Sequence, residues 1–130
     1  MAGSGKPLVL IVDDMPEGAA ALRLFVEDAG YEVQVAYDAL DALALARLRM
    51  PDLVVSDVVL PSMLGWELCL KLKEMALPAH LPVIILTAKT TDLDEVRSYE
   101  SHADDHFRKP ADHRALIAAI RRHVPLTAAS

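Results

Sequence analysis

Residues Leu8-Val9-Leu10-Ile11-Val12-Asp13-Asp14 are five aliphatic side chains without a break, followed at once by two carboxylates. An unbroken apolar run of this length marks a parallel strand buried on both faces. The acids then stand at the strand's carboxyl end. The same pattern recurs downstream, with Leu53–Val55 running toward Asp57 and Val83–Leu86 ending on Thr87. Two further segments are more polar. Tyr31–Ala36 alternates Val33 and Val35 with Glu32 and Gln34, and the short His106–Arg108 leads into Lys109. Both read as edge strands.

Helical patterns fill the gaps. Glu17–Ala29 carries Leu22, Val26 and Ala29 on one face, with Gly30 at the position of a C-terminal cap. Asp38–Met50 opens on a capping residue and is closed by Pro51. Trp66–Met75, Asp92–His102 and Asp112–Val124 complete a set of five. Strand and helix alternating five times predict an α/β fold of the doubly wound class. Its sheet is parallel and five-stranded, flavodoxin-like, with order 2-1-3-4-5 and five helices. The expected organisation is a flexible segment over 1–6, one domain over 7–124, and a tail or start of a linker over 125–130. The string Gly3-Ser4-Gly5-Lys6 is not a phosphate-binding loop. Pro7 stands where Ser or Thr is needed, and the string precedes the first strand.

Composition narrows the function. At 130 residues, 53% hydrophobic and only 5% aromatic, the chain has enough aliphatic mass for one core. Nineteen acids against thirteen Lys and Arg give a net charge of −6, which argues against direct binding to nucleic acid. No run reaches the roughly 18 apolar residues of a membrane span. A single cysteine, Cys69, leaves no internal disulfide and no paired-cysteine metal site. A reducing cytoplasm is the expected location.

In an open parallel sheet, ligands bind beyond the carboxyl ends of the strands. Asp13, Asp14, Asp57, Thr87 and Lys109 all fall there, although they are far apart in sequence. Three clustered carboxylates repel unless a cation compensates them, and Mg²⁺ takes a few carboxylates together with phosphate oxygens. With such an ion bound, one carboxylate can attack phosphorus and form an aspartyl phosphate. A lysine and the metal would spread the charge of the transferring group. The alternatives, taken residue by residue, are a helix cap for Asp13-Asp14, a turn residue for Asp57, a structural hydroxyl for Thr87 and a surface amine for Lys109. Only their joint register favours a site. Asp104-Asp105 reads as a solvated turn, His80, His102, His113 and His123 as surface residues, and Cys69 as a helix residue packed or half exposed.

Asp13-Asp14, Asp57 with Pro61 and Gly65, Thr87-Ala88 and Lys109-Pro110, in this order, resemble the receiver domain of two-component response regulators. The resemblance runs from about Pro7 to about Val124. It implies that Asp57 is the phosphoacceptor. Asp13 and Asp14 would hold Mg²⁺ with Asp57, and the backbone carbonyl of Val59 would complete the protein ligands. Lys109 would pair with the phosphoryl group, and the Lys109-Pro110 peptide would be cis. The implied activity is transfer from a histidine kinase or phosphotransfer protein, followed by a change of surface that signals to a downstream protein or an output domain outside this chain. The chain would catalyse its own phosphorylation and dephosphorylation and is not a metabolic enzyme. A homodimer would use the face made by Asp92–His102, His106–Arg108 and Asp112–Val124.

Three positions depart from the family pattern. His106 replaces the usual Tyr or Phe of the switch pair with Thr87, His102 replaces a common glycine, and Leu64 replaces a common Asp. By the same resemblance, Val59 and Lys89 would flank the path of the attacking water and are expected to tune the phosphoryl lifetime. Two other readings compete. A pseudo-receiver would bind proteins without phosphorylation. A phosphohydrolase of the haloacid dehalogenase type would need its nucleophile after the first strand, two acids spaced by one residue, and a cap domain. Here the acids are adjacent and the chain is too short for a cap.

Overall fold

Every strand of the first three sequence segments is parallel to its neighbour, and β1 (Leu8–Val12) sits between β2 (Glu32–Ala36) and β3 (Leu53–Asp57). The computed structural model describes residues 5–58, 60–61, 63–87, 103–109 and 112–126. Beyond β3 come β4 (Val83–Thr87) and β5 (Asp105–Arg108), so the order is β2-β1-β3-β4-β5, as the sequence pattern predicts. Within the described residues the helices are α1 (Pro16–Asp28), α2 (Ala39–Leu48), α3 (Gly65–Ala76) and α4 (His113–His123). The expected helix Asp92–His102 lies outside the described residues. No described helix is long and apolar enough to cross a membrane.

Strand alternation sorts the core into two layers. Leu10, Val12, Val54, Val83 and Ile85 face α2 and α3, which bring Ala42, Leu43, Leu68 and Leu72. Val9, Ile11, Val55, Ile84 and Leu86 face α1 and α4, which bring Leu22, Val26, Leu116 and Ile120. The three inner strands are buried at every position, which is why they read as unbroken apolar runs. β5 alternates instead, with Phe107 turned toward the α1/α4 layer and His106 and Arg108 exposed.

Local chemistry sets the helix ends. Pro16 occupies the first turn of α1, where a missing N–H costs nothing. Gly30 follows that helix at φ +108°, and a Cβ there would meet Leu126 at 2.7 Å. Asp38 and Asp112 stand just outside α2 and α4 as caps, accepting from Asp41 N at 2.8 Å and Arg114 N at 2.9 Å. β3 runs two residues beyond the expected Leu53–Val55, because Ser56 and Asp57 continue the ladder against Val12 and Leu86. Tyr31 lies just before β2. Its ring is buried and its hydroxyl donates to Val124 O at 2.7 Å.

Asp104 and Asp105 are not a solvated turn. Asp104 Oδ2 accepts from Val83 N (2.8 Å) and Lys73 Nζ (2.6 Å), and its Oδ1 lies 2.8 Å from His80 Nε2. Asp105 pairs with Arg122, 17 residues away on α4. The sequence hides both roles because the partners come from other elements. Two histidines read as surface residues are also engaged. The His113 ring lies 4.1 Å from that of Phe25, and half-buried His123 turns Nε2 toward Asp105 at 3.8 Å.

Candidate functional site

The carboxyl ends of β1 and β3 bring Asp13, Asp14 and Asp57 together, each offering an oxygen within 4.8 Å of the others. Asp13 is held twice by the backbone. Its N–H donates to Ala36 O at 3.0 Å, and its Oδ1 accepts from Met15 N at 2.9 Å ahead of α1. That bond turns the chain ahead of the helix without capping it, because the cap position is Met15 and carries no side-chain bond; the capping reading of Asp13 does not hold, and Oδ2 faces the cluster. Asp14 is exposed, and Asp57 is only 7% exposed at the last position of β3. Lys109 reaches in from beyond β5, with Nζ 2.7 Å from Asp57 Oδ1 and 3.7 Å from Asp13 Oδ2. Its backbone N–H donates to Thr87 O at 2.7 Å, which fixes the lysine against the end of β4. Thr87 is buried, and its Oγ1 is 3.5 Å from Phe107 O, at the limit of a hydrogen bond.

Burial pushes the Asp57 carboxyl up to about 7; Lys109 pulls it back, and Asp13 beside it adds to the rise. Burial works against the Lys109 ammonium as well, but Asp57, Asp13 and Asp14 outweigh it and raise its pKa. Although Lys109 Nζ is 2.7 Å away, buried Asp57 Oδ1 has no aligned hydrogen-bond donor among the described residues. With all four groups ionised, three carboxylates face one ammonium. An excess of anionic, hard oxygen donors with an under-satisfied buried oxygen fits a small divalent cation.

Gly65, quoted above only as part of the motif, and Gly18 and Ser56, which the sequence reading passed over, also shape the site. Gly65 opens α3 against the segment after Asp57, and a Cβ on it would lie 2.3 Å from Asp57 O. A glycine at a helix start was the available signal. Gly18, in the first turns of α1, leaves room beside Asp13, since a Cβ there would lie 3.1 Å from Oδ2. Ser56 is buried and donates from Oγ to Asp57 O at 2.9 Å. Its signal was a hydroxyl inside an apolar strand.

His106 lies on β5 with an exposed side chain, on the opposite face from Phe107. Its backbone N–H donates to Asp105 Oδ1 at 3.0 Å. The Val59 carbonyl, Lys89, His102 and the peptide to Pro110 lie outside the described residues. So does the helical part of the face expected to dimerise.

Residues 9–121 match the family model described as the response regulator receiver domain. Over 115 residues the chain is 36% identical to the DNA-binding dual master transcriptional regulator RpaA of Synechocystis, which is 88% of this chain and 48% of that protein. It thus spans about half the length of that relative. A putative response regulator from Chloroflexus aurantiacus superimposes with TM-score 0.81 at 33% identity, covering 91% of this chain and 98% of the other. The signal receiver domain of a Syntrophus aciditrophicus signal transduction histidine kinase gives TM-score 0.80 at 36% identity, covering 91% and 89%. Match, order of strands and acidic rim agree, and the chain belongs to the response regulator receiver domain family.

Proposed function

We propose that this chain accepts a phosphoryl group on Asp57 from a histidine kinase or a phosphotransfer protein. The observation that carries the reading is the meeting of Asp57 with Asp13, Asp14 and Lys109 at one end of the sheet. A carboxylate oxygen of Asp57 forms a bond to phosphorus as the phosphorus–nitrogen bond of phosphohistidine breaks, and the electron pair returns to the imidazole nitrogen. Asp57 must be ionised to attack, and its raised pKa makes that state costly without cations nearby. Lys109 supplies one positive charge at the attacking oxygen. Asp13, Asp14 and Asp57, with the Val59 carbonyl, would hold Mg²⁺. When bound, Mg²⁺ neutralises the carboxylates and the charge developing on the phosphoryl oxygens.

Thr87 then donates its hydroxyl to a phosphoryl oxygen in place of its weak contact with Phe107 O. That change is the start of the switch, and His106 occupies the β5 position where the family usually has the partner ring. Exposed His106 offers a smaller and more polar ring than Tyr or Phe, so the response is carried through the Thr87–Lys109 backbone link. Met15, exposed beside Asp13, and Leu24 and Phe25, exposed farther along α1, supply apolar surface for the donor. The output lies in a partner or in a part of the protein outside this chain, and the cytoplasm is the proposed setting.

The test is mass spectrometry after incubation with Mg²⁺ and acetyl phosphate. One added phosphoryl group is expected, and none in Asp57→Asn. Label that persists in Asp57→Asn would overturn the assignment. No label at all, under conditions that label an ordinary receiver, would favour the pseudo-receiver.

A further inference from the structure

The outer face of α2 is apolar where a solvated helix would be polar. Leu40 is 59% exposed and Leu48 86%, with exposed Ala44 between them. At 100° per residue, Arg47, Leu40, Ala44, Leu48 and Asp41 follow one another across an arc of roughly 120°. Ala44 is in the middle of that arc and also midway along the stripe. The leucines stand four residues to either side of it, and the charges three. Acid lies toward the N-terminal end and base toward the C-terminal end. Among the described residues, neither Asp41 nor Arg47 has an ion-pair partner within the chain.

We propose that this face binds a second copy of the chain, across a two-fold axis at Ala44. The pattern is self-complementary, as such an axis requires. Small Ala44 lets the two helices approach. Obliquely crossed, they interdigitate Leu40 of each copy with Leu48 of the other and bring Asp41 toward Arg47 of the other. Lys71, Glu74 and Met75 line a shallow groove beside Arg47, between α2 and α3, which widens the contact. α2 packs over β2 and β1, at the opposite edge of the sheet from β5 and in a different layer from α4, the two described parts of the dimer face expected from the family resemblance. A ten-residue helix offers less than the roughly 800 Å² per partner of a stable dimer, so the association depends on concentration.

Sedimentation velocity from low micromolar to near-millimolar chain is the test. The wild type is expected to pass from monomer to dimer, and Leu48→Glu to remain monomeric while keeping its helical circular dichroism. Asp41→Arg should weaken the dimer about fivefold, and Asp41→Arg with Arg47→Asp should restore it. Ala44→Cys should form a disulfide-linked dimer under mild oxidation. A wild type that stays monomeric at the highest concentration, a dimer that survives Leu48→Glu, or an Ala44→Cys chain that does not cross-link would each overturn the proposal.

Discussion

The sheet carries an acid–base cluster at each end, and the two are built on opposite principles. At the amino end, Asp104 receives a backbone N–H, an ammonium and a histidine, so both oxygens are used. Burial alone would raise its pKa, but Lys73, Val83 N–H and His80 outweigh it and hold it below the usual carboxylate range. At the carboxyl end, Asp57 is more deeply buried and has one lysine and two more carboxylates around it. Its pKa moves the other way. A saturated carboxylate is structural, whereas one left short of donors next to like charges is held ready for a cation and an electrophile.

The largest effect expected from breaking this contrast is at Asp57. Asp57→Asn should lose all acetyl phosphate label and yet be more stable than the wild type at pH 8 with metal chelated. A carboxyl raised on folding gains a proton relative to the unfolded chain. Its destabilising effect therefore grows as pH rises from the unfolded value of 3.8 through the folded value of about 7. The gain should reach up to about 4 kcal/mol in denaturant melts and vanish near pH 4.

Asp104→Ala should do the reverse, costing about 3 kcal/mol by stranding Lys73 and Val83 N–H. Its acid dependence has the opposite sign. Because folding lowers the Asp104 pKa, its contribution is complete above the unfolded value of 3.8 and is lost as pH falls through the folded one. Acid titration of Asp104→Ala should lack that loss.

Gly65→Ala should cost about 2 kcal/mol and slow labelling, because the new methyl group pushes on Asp57 O. Thermal melts and labelling rates would check both. The smallest effect should be that of His80→Ala. Its side chain is 68% exposed, so the loss should stay below about 1 kcal/mol at neutral pH. A larger loss would mean that His80, and not Lys73, dominates the amino-end cluster.

How much of this was legible in the sequence follows from where the partners lie. Asp13 and Thr87 directly follow unbroken apolar runs and Asp57 lies two residues past one, so apolar runs find them, whereas Lys109 follows the short polar β5 and was legible only with the rest of the pattern. Asp104 could not be read in the same way, because Lys73, His80 and Val83 come from α3, a loop and β4. The spacing of Asp104 from the nearest strand is no different from that of a turn residue. The displaced end of β3 has a similar cause. Ser56 and Asp57 are polar, and only ladder partners on both sides extend the strand through them.

The sequence by itself determined the alternation of elements, the strand order and the residues that gather at the carboxyl end, because apolar periodicity and strand polarity are local properties. Tertiary structure alone decided which carboxylates are satisfied. It gave Asp13 one oxygen to the turn before α1 and one to the cluster, left Asp57 Oδ1 without an aligned donor among the described residues, and engaged both oxygens of Asp104. The physical reason is that a carboxylate's state depends on the donors and charges within a few ångströms, and here those come from residues distant along the chain.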